Sequence, residues 1–328
     1  MAFPQSKLPG ETPLRAAAPL LIYLDLNKWV DLAHAETGGT KGKQFEAALD
    51  IANALAADGR AIFPLSSLHL MEVAKIGSDA RRGVLAGLMV RLSQGWFIAS
   101  ASALIGKELR RAIACQFGKP ITIAERSALT KNLKTALADP KLIDAAGGFD
   151  EQIFRNPAVL AAFIATARVG PEFIRNWRGF AEQHETGRAL RWDTSRDVRK
   201  RAYCAQLTFG LQDRLGEAFS EFELDLSALE TLGAEGCVSF LESVPVLDVE
   251  ITLHVERNEH RDRKIDPNDE IDIGFLSIAV PYCHGVVTEK FWASLVTRHN
   301  LDRKYDTLVG SDVSDVLQTV DAMTRPSG

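Results

Sequence analysis

The run Ile273-Gly-Phe-Leu-Ser-Ile-Ala-Val280 is apolar enough to be buried on nearly every side, yet Asp266-Pro-Asn-Asp-Glu-Ile-Asp272 leads directly into it. Pro267 suits the first turn of a helix, and Asp266 before it can cap that helix. Three residues apart, Asp269 and Asp272 then project from one helical face. The helix is expected to stop at Pro281, and Tyr282–Thr288 reads as a short buried strand ending in Glu289. Carboxylates beside a core are costly, and clustered ones repel unless protons or a cation compensate. A divalent metal is the natural partner for such a group.

Upstream, Leu20–Leu24 is a continuous apolar run of strand length, the pattern of a central parallel strand. It ends in Asp25-Leu26-Asn27, where open α/β sheets place their chemistry. Asp25 or Asn27 can equally cap the helix beginning near Lys28. An amphipathic helix over Phe45–Ala57, a strand over Ala61–Leu65 and a helix from Ser66 or Ser67 through Lys75 follow. The last of these carries Glu72, either a solvated surface residue or a further site acid. A helix over Arg81–Ser93 and a third strand, Trp96–Ile98, complete the first part. Near the other end, Pro245–Arg257 is expected as a helix, with a strand left open by its β-branched residues. A helix over Lys290–His299, a strand over Lys304–Val309 and a helix over Asp312–Thr319 close the chain.

The 328 residues leave room for one large domain or two, and 46% hydrophobic content is ample for a core. The cysteines Cys115, Cys204, Cys237 and Cys283 form no CxxC pair, which argues against a zinc ribbon and fits a reducing cytoplasm. No stretch approaches a membrane span, and Pro19–Leu24 is too short for a signal segment. Residues 1–18 and 321–328 are expected as tails. From about Ser100 to Leu241 helical segments dominate, broken near Gly118–Pro120, Gly147–Gly148 and Gly170–Pro171. Within this part Arg188, Arg191, Arg196, Arg199, Lys200 and Arg201 cluster with Trp192 and Tyr203, and Leu215–Glu250 holds nine acids without a Lys or Arg. The basic stretch can track a nucleic-acid backbone through Arg196, Arg199 and Arg201. Alternatively it docks on the acidic segment. His184 and His254 lack metal-ligand spacing in the sequence and receive no role.

The ordered set of a strand ending Asp25-x-Asn27, a helical Glu72, a helical Asp272 before an apolar run and a strand closing Thr288-Glu289 resembles the PIN-like domain superfamily. The resemblance implies an α/β fold, a parallel sheet flanked by helices, built from residues 19–99 and 245–320 and interrupted by a mainly helical insertion over 100–244. It implies metal-dependent nuclease chemistry with Mg2+ or Mn2+. Asp25, Glu72, Asp272 and Glu289 take the acidic positions, Asp269 is an additional acid, and Asn27 and Thr288 take the supporting polar ones. Glu289 stands where Asp is usual in the family. His284 is either a metal or phosphate contact or a hydrogen-bonded structural residue, and Lys28 either meets a phosphate or is an ordinary surface lysine.

What the resemblance implies about function is an endoribonuclease acting on single-stranded or structured RNA, with toxin or phage-defence roles frequent in the family. Asp25, Glu72 and Asp272 would hold one cation, with Asp269 and Glu289 holding a second or orienting waters. A DNA substrate, or a degraded site retained as an RNA-binding scaffold, are the competing expectations. The insertion is the expected seat of self-association or of a regulatory partner.

Overall fold

The structure, a computed structural model, describes residues 18–121, 128–137, 153–168, 170–260 and 262–325. Four short strands form a parallel sheet in the order β2-β1-β5-β6: β1 Leu20–Leu24, β2 Ala61–Ile62, β5 Gly285–Val287 and β6 Leu308–Gly310. Central β1 pairs with β2 through Leu20 and Ala61, and with β5 from Ile22 and Gly285 to Leu24 and Val287. Neighbouring β1 and β5 therefore end side by side. Asp25 extends the ladder, its N–H donating to the Val287 carbonyl at 2.9 Å, and the Thr288 N–H reaches the Gly310 carbonyl at 3.0 Å. Gly285 lets β5 pass close to Ile22, since a Cβ there would stand 2.9 Å from Ile22 Cδ1 and push that side chain aside.

Helices cover both faces, as burying a parallel sheet demands. One core packs Leu24, Trp29, Leu32 and Phe63 beneath the N-terminal helices and the last helix; the other packs Tyr23, Phe275, Leu276, Val286 and Trp292 beneath the helices of the second part. Among the described residues no helix is long and apolar enough to cross a membrane.

Several expected boundaries move. The helix carrying Asp272 spans Pro267–Tyr282 and passes through Pro281, which sits in its last turn, where only one intrahelical bond is lost. The strand after it is accordingly Gly285–Val287 rather than Tyr282–Thr288. Phe97–Ile98 (β3) stands outside the four-stranded sheet, pairing antiparallel with Leu129–Thr130 (β4) and touching Leu65 through one bridge. A short helix, Leu301–Tyr305, occupies the expected start of the last strand. The final helix runs Val313–Thr324, beyond the expected tail boundary at 321, with Asp312 as its cap. Pro245–Glu259 is a helix, with Val244 at its cap position and Pro245 in its first turn. Residues 1–17, Gly147–Gly148 and 326–328 lie outside the described residues.

The basic stretch meets acids of its own chain. Arg199 pairs with Glu259 at 2.7 Å, Lys200 with Glu242 at 2.5 Å, Arg201 with Glu235 at 2.7 Å, and Arg196 with Glu256. The acids come from the end of the acidic segment and the helix that follows it. Arg188 is buried and bonded to Glu185 and to the carbonyls of His260 and Arg263. These guanidinium groups link helices, Arg199 largely covered and Arg196 and Arg201 still about half exposed. Replacing those three by Gln should lower stability by roughly 1–2 kcal/mol, since partly exposed pairs contribute under about 1 kcal/mol each. A melting curve would register the loss, while the salt dependence of any nucleic-acid binding should keep its wild-type slope.

Candidate metal centre at the sheet edge

Asp25 follows β1 and is buried, at 4% exposure. It occupies the N-cap position of the Leu26–Glu36 helix, yet its side chain makes no capping bond there. Instead Thr288 Oγ1 donates to Asp25 Oδ2 at 3.4 Å. Glu289, the exposed member of the group, follows Thr288 at the end of the neighbouring strand. Its Oε1 accepts from Asn27 Nδ2 at 3.2 Å. Asn27 Oδ1 is itself buried and accepts no hydrogen bond.

Glu72 reaches this edge through His69, one helical turn earlier. His69 Nδ1 accepts from the Ser66 backbone N–H at 3.1 Å, so the ring proton lies on Nε2 and is donated to the Leu24 carbonyl at 2.7 Å. Burial holds the imidazole neutral by lowering its pKa to about 4. The Ser66 side chain caps the Ser67–Val73 helix and shares a 2.7 Å hydrogen bond with the Tyr23 hydroxyl. Tyr23 stacks on His69 at 4.8 Å and on Phe275 at 5.4 Å. Each ring lies one structural repeat from an acid: Tyr23 two residues before Asp25, His69 three before Glu72, Phe275 three after Asp272.

The carboxylates feel one another. Burial and then Glu289 raise Asp25 to about 6. Burial, then Asp25, with Glu289 adding to both, raises Glu72 to about 7, against the pull of Lys75. Asp272 is raised furthest, to about 8, by burial, Asp25, Glu289 and Glu72, despite a hydrogen bond from Trp292. Without a cation the cluster therefore retains protons near neutral pH. The donor set is all oxygen, the orphaned Asn27 Oδ1 can receive a proton from a metal-bound water, and the acids gain from a positive charge. These features fit Mg2+ or Mn2+.

The structure thus places Asp25, Glu72, Asp272 and Glu289 near enough for their charges to act on one another, with Thr288 on Asp25 and Asn27 on Glu289, although no three of the four bring carboxylate oxygens within 4.8 Å of one another. Asp269 is bonded elsewhere. Its carboxylate is buried, receives both Arg263 Nη groups and the Asp266 backbone N–H, and closes the capping box of its helix. Its oxygens are thereby committed, which corrects the expectation of a second metal ligand. His284 accepts the Leu21 N–H on Nδ1 at 2.9 Å, the structural alternative for that residue. Sequence reading missed His69 and Trp292, whose spacing of one helical turn from Glu72 and from Glu289 was the available signal.

His184, His254 and Glu270 form a second buried group, with ligand-type atoms within 4.8 Å of one another. Arg257 fills the role a metal would take. Its guanidinium donates to Glu270 Oε1 at 2.6 Å and to His254 Nδ1 at 3.0 Å. Because Arg has no acceptor, His254 carries its proton on Nε2, which faces Glu270 Oε2 at 3.4 Å. A metal there would have to force that proton onto Nδ1, against a guanidinium. The group joins three helices as a hydrogen-bonded network.

In comparisons with protein-family models, curated proteins and solved structures, nothing matches.

The raised carboxyls fix a pH dependence. Between pH about 4 and about 8 the folded chain binds more protons at Asp25, Glu72 and Asp272 than the unfolded chain does, so their contribution to stability falls as pH rises. Each unit of raised pKa is worth at most about 1.4 kcal/mol. In EDTA, Asp272→Asn should melt near wild type at pH 5 and clearly above it at pH 8. Saturating Mn2+ at pH 8 should raise the wild-type melting point and leave the variant's nearly unmoved; thermal scans at both pH values check both statements.

Proposed function

We propose that the chain is a Mg2+- or Mn2+-dependent endonuclease that hydrolyses phosphodiester bonds in RNA, in the manner of the PIN-like nucleases its motifs resemble. What supports this reading is that acids from two strand ends and two helices lie close enough to raise the pKa of Asp25, Glu72 and Asp272, beside a buried acceptor without a donor. Open α/β sheets bind their ligands at that edge. Asp25, Glu72 and Asp272 would hold the cation, and Glu289, reached from the solvent side, would complete or assist the set.

When bound there, the cation supplies an activated water and neutralises charge on the phosphoryl oxygens. The chain's own residues set the geometry. Thr288 orients the Asp25 carboxylate and Asn27 Nδ2 orients Glu289, while Asn27 Oδ1 offers an acceptor to a water in the site. The Thr-Glu ending, one methylene longer than Thr-Asp, keeps its carboxylate within reach of Asn27, which favours a working site over a degraded one.

Incubating single-stranded RNA, a folded RNA and single-stranded DNA with the protein in Mn2+, Mg2+ or EDTA tests the reading. RNA should be cut only with metal, and Asp25→Asn should lose at least about 100-fold, equivalent to roughly 3 kcal/mol of transition-state stabilisation. Cleavage of DNA alone would move the substrate class. RNA binding without any cleavage would leave a binding module, and neither binding nor cleavage would overturn the proposal.

A further inference from the structure

The exposed edge of the site is backed by a chain of contacts that ends on Asp272. Trp292 is fully buried in the Lys290–Arg298 helix, and its indole N–H donates to Asp272 Oδ2 at 2.7 Å. The edge of Phe291 meets the same indole, with centroids 4.9 Å apart and planes at 73°. The Arg263 guanidinium lies 4.2 Å from the Phe291 ring centre and 5.5 Å from that of Trp292. Both Arg263 Nη groups are in turn fixed by the two oxygens of Asp269, one helical turn before Asp272.

The contacts run in one direction: Asp269 aims Arg263, Arg263 lies over the two aromatic rings, and Trp292 aims Asp272. Each link has a physical consequence. A cation over an indole face draws electron density from the ring and makes its N–H a stronger donor. A single strong donor on one carboxylate oxygen fixes the plane of the carboxylate and leaves the other oxygen available. Without this bond Asp272 would rotate freely against three other acids that repel it.

We propose that Trp292 is a positioning residue for the cation site, holding Asp272 by Oδ2 so that Oδ1 is presented to the metal, and that Arg263, anchored by Asp269, sets the strength of that hold. This gives Asp269 a function at the site although it contacts no cation. The proposal rests on the cation-binding reading of Asp25, Glu72 and Asp272.

The test uses the full chain and Mn2+ alone. Mn2+ binding is titrated by electron paramagnetic resonance or calorimetry on wild type, Trp292→Phe and Arg263→Met, with melting curves in EDTA and in Mn2+. Trp292→Phe keeps a ring but removes the donor, and should weaken Mn2+ binding by about 10- to 100-fold, the range for lost outer-shell partners. Arg263→Met, at a partly exposed position, should weaken it about two- to fivefold. RNA cleavage by both should recover toward wild type as Mn2+ is raised, which a purely structural defect would not do. If Trp292→Phe melts lower in EDTA but binds Mn2+ as wild type does, Trp292 only packs the core and the proposal is overturned. Should Trp292→Phe fail to fold, unchanged Mn2+ affinity in Arg263→Met overturns it equally. Absence of Mn2+ binding by wild type itself would overturn the cation site, a failure distinct from unaltered affinity in the variants.

Discussion

Tyr23 stacks against both His69 and Phe275, and this set of rings lies one structural repeat from three carboxylates that repel one another. The stack joins the central strand to the helix of Glu72 and to the helix of Asp272. Dispersion and burial of three large rings favour a single arrangement of these elements, and the hydrogen bonds of Tyr23 to Ser66 and His69 to the Leu24 carbonyl fix their registers. The acids therefore lie near one another because apolar packing sets the positions of their elements, not because they attract. Raised carboxyl pKa values are the electrostatic record of that placement.

On the proposed reading, such a site is held under repulsion by the fold and would be relieved by a cation. Its polar supports are spread around the cluster: Thr288 on Asp25, Asn27 on Glu289, Trp292 on Asp272. Each fixes one carboxylate from a different side. Of the four acids only Glu289 is exposed.

Away from the sheet edge, charges are used in pairs. The arginines of the Arg196–Gly210 helix are neutralised by Glu235, Glu256 and Glu259. The His184, His254 and Glu270 group is closed by Arg257. Acids with arginine partners hold these helices together, whereas Asp25, Glu72 and Asp272 are raised by burial and by one another's charge.

The sequence by itself determined the strand Leu20–Leu24, the placement of Glu72 and Asp272 on helices and the position of Glu289 at a strand terminus, because continuous apolar runs and helical periodicity are local signals. It also determined that acids flank buried runs. The role of Asp269 was beyond it: three-residue spacing puts Asp269 on the face of Asp272, but Arg263, folding back over Phe291, captures its oxygens. The basic stretch was equally ambiguous, since a helix face rich in arginine looks the same whether its partner is phosphate or a glutamate about sixty residues on. Pro281 ended the helix on paper and not in the fold, where the helix gives up one bond and stops at the next residue, Tyr282. Ring stacking, the His69 tautomer and the Trp292 bond to Asp272 join residues far apart in the chain. Only tertiary structure could decide them, since no local pattern encodes which distant group a side chain will meet.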